Sequence, residues 1–176
     1  MNDVFRILAT EDSTVVSIEP EQPEIAGVVL NQGEWVEYKA TSAHRIKAAK
    51  PVLVGHFMKS GDDQAGLGCP AGVGDPSLTF AVPVSGYLPS YVVVIPEGVA
   101  ESWLNVVRPV GAVVTLDGKP LGGEVVPIAG ATHEVVRIKV APGARRLESA
   151  LSPIGVTAYG RDCGTSYAFS GGRGLQ

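Results

Sequence analysis

The sequence predicts an all-β fold, an antiparallel β-sandwich of jelly-roll-like type. Three observations support this class. Valine occurs 26 times in 176 residues, and β-branched residues are enriched in strands. Glycine and proline together contribute 35 residues (22 + 13), which supplies frequent turns. No segment carries a sustained 3.6-residue apolar period, and short strands at close intervals are typical of a sandwich or barrel.

The first 58 residues are predicted to form six short strands. Residues 4–9 and 14–18 flank the turn 11–13, which predicts that these two strands form a hairpin. Residues 34–39 alternate polar and apolar side chains, which is the period of a half-buried strand. The remaining strands expected in this part are 28–30, 44–49 and 51–58.

The longest irregular stretch, 59–76, contains five glycines, three aspartates and Cys69. A loop of this length in a compact domain is usually functional or held in place by other parts of the chain. Its carboxylates, Asp62, Asp63 and Asp75, match no EF-hand spacing. We interpret them as solvated turn residues rather than as Ca²⁺ ligands.

The C-terminal half contains the clearest strand, 133–140, in which polar and apolar residues alternate. The dipeptide Asp117-Gly118 follows the apolar segment 112–116 and predicts a hairpin turn. Further strands are expected at 91–95, 103–108, 125–126, 145–149 and 154–159. The glycine-rich tail 171–176 resembles the start of a linker.

Composition narrows the possible classes of protein. Hydrophobic residues make up 45% and charged residues 18%, which excludes an intrinsically disordered chain. The net charge of −4 disfavours a nucleic-acid binder, which is expected to be basic. No apolar run is long enough to insert into a membrane, and the first residues lack the apolar stretch of a signal peptide. We expect a single domain over 1–176, excised from a longer surface or secreted protein.

No catalytic or metal-binding pattern is present in the sequence. His44, His56 and His133 each lie in a strand pattern without a metal ligand at suitable spacing, so we expect structural or surface roles for them. The sequence has no GxSxG, HExxH or P-loop motif. We therefore predict no enzymatic activity, no catalytic residue, no cofactor and no metal.

Aromatic residues are the remaining candidates for ligand contact. In a sandwich, most such residues pack in the core or at its edges, and stacking of a sugar on one of them is the alternative. The candidates are Trp35, Tyr38, Tyr87, Tyr91 and Trp103.

The two cysteines, Cys69 and Cys163, lie 94 positions apart and form no CxxC motif or Cys/His cluster, so zinc is not expected. Their spacing leaves two interpretations open. They are either two free thiols that pack as small hydrophobic groups or one long-range disulfide, which requires an oxidising compartment.

Three blocks of sequence follow one another along nearly the whole chain. The first is FRILATEDSTVVSI at 5–18. The second comprises KPVLVGHFM at 50–58, GDPSL at 74–78 and SYVVVIP at 90–96. The third comprises VVTLDG at 113–118, GARRLES at 143–149, GVTAYG at 155–160 and SYAFSGG at 166–172. Together they resemble the N-terminal domain of IgG Fc-binding proteins, which occurs in animal mucus proteins and in large bacterial surface or secreted proteins.

The resemblance implies an extracellular, non-enzymatic module, and the segment 108–118 looks more like the bacterial members. It supplies no catalytic residues, and binding of IgG itself does not follow from it for this chain. Because the family is extracellular, the resemblance also implies that Cys69 and Cys163 are bonded to each other.

Two functions of different class follow from these expectations. The first is a binding or adhesion module that recognises an extracellular protein or glycan. The second is a structural spacer in a large surface protein. A contiguous exposed aromatic or apolar patch would favour the binding module, and a surface without one would favour the spacer.

Overall fold

The computed structural model describes residues 3–59, 69, 73–128 and 130–174, and within these ranges the chain forms sixteen strands and no α-helix. Short 3-10 turns lie at Pro23–Ile25 and Val84–Gly86. The first eight strands are β1 (Asp3–Ala9), β2 (Thr14–Glu19), β3 (Val28–Leu30), β4 (Trp35–Ala40), β5 (Arg45–Ala48), β6 (Val52–Met58), β7 (Ser77–Phe80) and β8 (Ser90–Ile95). The other eight are β9 (Glu101–Pro109), β10 (Val114–Leu116), β11 (Lys119–Pro120), β12 (Glu124–Pro127), β13 (His133–Lys139), β14 (Gly143–Ser149), β15 (Gly155–Asp162) and β16 (Thr165–Ser170).

The strands form four antiparallel sheets, which pack as two pairs. In the N-terminal half, the sheet β4-β1-β6-β7 faces the sheet β3-β2-β5. In the C-terminal half, the sheet β12-β13-β9-β15-β16 faces the sheet β11-β10-β14-β8. This arrangement confirms the predicted all-β, antiparallel sandwich class.

Each half has its own hydrophobic core, built by strand alternation. In β8, for example, Tyr91, Val93 and Ile95 are buried while Val92 and Val94 between them are exposed. Removing one large aliphatic side chain from water contributes about 1.5–3 kcal/mol. The N-terminal core consists of Ile7, Ala9, Val16, Ile18, Ile25, Leu30, Tyr38, Ala40 and Val54. The C-terminal core consists of Tyr91, Val93, Ile95, Leu104, Val106, Val114, Val136, Leu147, Ile154, Val156 and Ala158.

The predicted hairpin between residues 4–9 and 14–18 is wrong. β1 pairs with β4 and β6, whereas β2 pairs with β3 and β5, so the turn carries the chain from one sheet to the facing sheet. The reason is burial, since Ile7 of β1 and Val16 of β2 are fully buried in the same core from opposite sides. A hairpin would leave the sheet β3-β2-β5 without its central strand.

The hairpin predicted at Asp117-Gly118 is confirmed. Leu116 of β10 pairs with Lys119 of β11, so two residues make the turn. Asp117 has a φ of 53° and Gly118 a φ of 77°. Two positive φ angles in a two-residue loop match a type I′ turn, whose twist suits antiparallel strands.

A disulfide joins Cys69 to Cys163, as the family resemblance implies. The two Cα atoms are 5.4 Å apart, within the usual range. Cys163 lies in the turn between β15 and β16 and forms a β-bridge with Val73. The Gly74 N–H also donates a hydrogen bond to the Asp162 carbonyl oxygen at 2.7 Å. These contacts attach the C-terminal end of the irregular stretch to the β15–β16 turn.

The two halves adjoin where β7 lies beside β16. Ser166 Oγ donates to the Asp75 carbonyl oxygen, so Ser77 Oγ donates to Ser166 Oγ at 2.6 Å. Ser77 is the register partner of the buried Met58, and directly opposite residues share a face of the sheet. The core-facing side of β7 therefore contacts the outward side of β16 at these two serines.

Candidate functional site

The outward side of the sheet β4-β1-β6-β7 carries apolar residues where a solvated sheet face usually carries polar ones. In β1, Ile7 and Ala9 point into the core, so Arg6 and Leu8 point outward. Strand register aligns the outward residues of all four strands in three rows. We call this surface the N-terminal face; its rows are Trp35, Leu8 and Leu53; Glu37, Arg6, Gly55 and Phe80; and Lys39, Val4, Phe57 and Leu78.

Four large apolar side chains of this face are about half exposed. Trp35, Leu53, Leu78 and Phe80 have relative exposures between 44% and 52%. They come from three different strands, so they form a patch across the sheet rather than a run along one strand. Gly55 lies among them, and a Cβ there would be 3.3 Å from the Phe57 ring. Its missing side chain leaves room for that ring to lie flat on the sheet.

A charged pair lies among these apolar side chains. The Arg6 guanidinium carbon is 4.3 Å from the centre of the Trp35 ring and 5.3 Å from that of Phe57. Arg6 Nη2 and Nε donate to Glu37 Oε2 at 2.7 Å and 3.1 Å. Both side chains are about 40% exposed, so this pair adds little to folding stability. Its effect is to hold the Arg6 side chain over the Trp35 ring.

The predicted aromatic candidates lie in different places. Trp35 is on the N-terminal face, whereas Tyr38 and Tyr91 are core residues with only 4% exposure. Tyr87 packs against Gly155, and burial raises the pKa of Tyr87 to about 12. Trp103 lies on the outward side of the other half, at β9. The sequence candidates are therefore not brought together into one site.

The histidines do not reach the N-terminal face. His56 points inward, where its ring stacks on Phe5 at 4.3 Å and its Nε2 pairs with Asp3 Oδ2 at 2.9 Å. His44 Nε2 accepts a hydrogen bond from the Tyr38 hydroxyl at 2.7 Å. In this arrangement His44 Nδ1 donates to the Ser42 carbonyl oxygen at 3.0 Å. Burial lowers the pKa of His44, which keeps the ring neutral at pH 7.

His133 Nδ1 lies 3.0 Å from the Thr132 hydroxyl, at the start of β13. Among residues that the structure describes, no three His, Cys, Asp or Glu side chains are grouped as a metal site would require. Asp62 and Asp63 lie outside the described residues. The backbone carbonyl oxygen of Asp75 accepts a hydrogen bond from the Ser166 hydroxyl.

Most residues of the N-terminal face are not predicted from the sequence. β6 carries a usable sequence signal, because it has apolar residues on both sides: Leu53 and Phe57 on one, Val54 and Met58 on the other. A strand that is apolar on both sides has two covered faces or one exposed apolar face. The sequence of β7 is misleading, because its buried residue is the polar Thr79. Pairing of Arg6 with Glu37, 31 residues away, leaves no local trace in the sequence.

No helix in the described part of the chain is long and apolar enough to cross a membrane. Neither the curated proteins nor the solved structures contain a match to this chain. The family model of the IgGFc binding protein matches residues 1–160. Since this match covers nearly all of the 176 residues, the chain belongs to the IgGFc binding protein family, a family of binding domains.

Proposed function

We propose that this protein is a non-enzymatic extracellular binding module that recognises a partner protein through its N-terminal face. The observation that carries the proposal is the contiguous apolar patch around Trp35 and Phe80, with the ion pair of Arg6 and Glu37 fixed inside it. Exposed apolar patches rimmed by polar groups mark interaction sites. Trp and Arg are also the residue types that contribute most often to binding hot spots.

The patch favours a binding module over a structural spacer. A spacer needs only a solvated surface, whereas this face keeps four large apolar side chains half exposed to water. The family match supports a protein ligand, and a flat apolar sheet suits a folded protein surface better than a hydroxyl-rich glycan. Lys39 at the rim is a cation without an ion pair among the described residues, so an acidic group on the partner would complement it.

The size of the face is too small for a stable dimer of this chain that uses this face alone. Four strands about 4.8 Å apart and three rows of outward residues cover roughly 400 Å². Two copies stacked on this face would bury about 800 Å², less than the roughly 1,200 Å² at which stable interfaces begin. We infer a partner that also contacts the sheet edge, or one bound weakly by several modules at once.

Two further observations support an extracellular place for this module. The Cys69–Cys163 disulfide persists in oxidising compartments, and domains of this family are extracellular. We further propose that residues 1–176 act as one module, because the disulfide and the Ser77–Ser166 contact tie the halves together. The likeness of segment 108–118 to bacterial members supports a bacterial surface origin.

The experiment identifies a partner and then maps its contact surface. Immobilised protein captures binding proteins from the culture medium of its source, and the purified partner is titrated against variants. Trp35→Ala and Phe80→Ala should each weaken binding at least tenfold, since hot-spot truncations cost about 2 kcal/mol. Val94→Ala is the matched control, because Val94 is 65% exposed on a different sheet.

Three outcomes would contradict the proposal. Equal affinity of the wild type and both face variants would place the contact elsewhere. If the wild type captures no more protein from the medium than a Trp35→Arg variant does, the structural spacer would be favoured. A dimer in sedimentation that Trp35→Arg abolishes would make a second copy the ligand.

A further inference from the structure

The outward side of the sheet β12-β13-β9-β15-β16 differs in chemistry from the N-terminal face. Leu104, Val106, Val136 and Ala158 point into the core, so the residues between them point outward. Register aligns them in rows across the strands. We call this surface the C-terminal face; its two central rows are Glu124, Arg137, Asn105, Thr157 and Ser170, and Lys139, Trp103, Tyr159 and Ala168.

Aromatic rings and cations are interleaved at the centre of this face. Trp103 and Tyr159 are register partners on β9 and β15. The Arg137 guanidinium carbon is 4.5 Å from the Trp103 ring centre and 5.8 Å from that of Tyr159. The Lys139 ammonium is 5.7 Å from the indole and pairs with Glu101 at 3.0 Å. Arg137, by contrast, forms no ion pair with a carboxylate among the described residues.

Two buried hydrogen-bonding atoms without a partner among the described residues lie at this face. Trp103 Nε1 and Arg137 Nε are buried donors without an acceptor among the described residues. Asp3 Oδ1 is a further buried acceptor without a donor among the described residues, but it lies on the inward side of β1, where Asp3 Oδ2 pairs with His56. Such groups are rarely left unpaired in folded proteins. A ligand that satisfies the two donors at this face must offer acceptors.

We propose that the C-terminal face binds a carbohydrate, with a sugar ring against Trp103 and hydroxyl groups on Arg137, Asn105 and Thr157. A sugar hydroxyl both donates and accepts a hydrogen bond, which matches the mixed donors and acceptors of the polar row. The apolar C–H side of a sugar ring suits the flat, amphipathic indole. The row from Arg137 to Ser170 crosses four strands, about 14 Å, so several linked sugar rings fit along it.

A protein partner suits this face less well. Among the described residues, no large hydrophobic side chain at its outward positions is more than about a third exposed; Val107, Val126 and Val135 are half-buried. Arg137 now lies on the indole, where a sugar ring would pack. The guanidinium can leave that ring and donate to the sugar hydroxyls instead, which also gives its Nε an acceptor.

The test uses the fact that the chain contains two tryptophans, one on each face. In a Trp35→Phe variant, the emission of Trp103 alone reports on the C-terminal face. An array of neutral β-linked hexose chains and of sialylated and sulfated N-acetyllactosamine selects a probe, which is then titrated in solution. We expect a saturable change of Trp103 emission. Asn105→Ala should weaken binding at least fivefold and Trp103→Ala at least tenfold, with the melting temperature of the Asn105 variant unchanged.

The controls separate this inference from the proposed function. Trp35→Ala should keep full affinity for the sugar while it loses the protein partner. The sialylated and sulfated probes distinguish an acidic sugar from a neutral one. Absence of array binding together with unchanged Trp103 emission would overturn the inference. So would sugar affinity that both the Asn105 and Trp103 variants retain, or a captured protein whose binding depends on Trp103.

Discussion

Removal of the Cys69–Cys163 disulfide by replacing both residues with alanine should lower the free energy of unfolding substantially. The bridge joins residues 94 positions apart, so it restricts most of the unfolded chain. In the chain-entropy model, a loop of that length contributes about 4.7 kcal/mol. Cys163 is exposed in its turn and neither cysteine belongs to a hydrophobic core, so the substitutions open no core cavity.

The value is an upper estimate, because noncovalent contacts at the same place survive the substitution. Val73 still bridges to position 163, and Gly74 still donates to Asp162. In a chain of this size, each kcal/mol shifts the melting temperature by about 2–4 °C. The full value would correspond to a decrease of roughly 10–20 °C, so we expect the melting temperature of the double alanine variant to fall by at most this amount.

Thermal and urea unfolding, followed by circular dichroism with and without reductant, measure this effect. Reductant should destabilise the wild type and leave the double variant unchanged. The urea m-value should rise in the variant, because its unfolded state is no longer held compact. The reasoning would be refuted if reductant left the melting temperature of the wild type unchanged. It would also be refuted by two reactive thiols per chain in the unreduced, denatured protein.

Two further predictions concern packing and pH. Gly160→Ala should destabilise by about 1–3 kcal/mol, because the new methyl overlaps the Tyr167 ring. Gly122→Ala meets nothing within 4 Å, so its urea midpoint should stay at the wild-type value. Burial lowers the pKa of His44 in the folded state, and this outweighs the Ser42 hydrogen bond that raises it. Stability should therefore fall as pH decreases below about 6.5. Melting temperatures measured from pH 8 to 5 should fall less in a His44→Gln variant than in the wild type. An equal or larger fall in the variant would contradict this.

Local sequence patterns were sufficient to locate most strands. β13 was predicted at 133–140 and lies at His133–Lys139, because its alternation matches a strand with one buried side. β7 was missed because its pattern is inverted, with Thr79 buried and Phe80 exposed. β16 was missed because nearly all its residues are half-buried, so polar and apolar positions do not separate.

Strand pairing and the faces could not be derived from such patterns. The turn at 11–13 is compatible with a hairpin or with a crossing between sheets, and only burial of Ile7 and Val16 in a shared core decides between them. Likewise, Trp35 is a candidate ligand contact from the sequence, but Arg6, which contacts it, and Phe80, at the opposite edge of the same face, come from strands far from it in the chain. The cysteine pairing was inferred from family membership rather than from the spacing.

At β7 and β16, the core-facing side of one sheet meets the outward side of the other. Ser77 shares the core-facing side of its sheet with Met58, and it contacts Ser166 on the outward side of the neighbouring sheet. The N-terminal face is thus on the side of β7 that points away from this contact. Because Trp35 and Trp103 lie on different sheets, we expect a protein on the N-terminal face and a sugar on the C-terminal face to bind one module without competition.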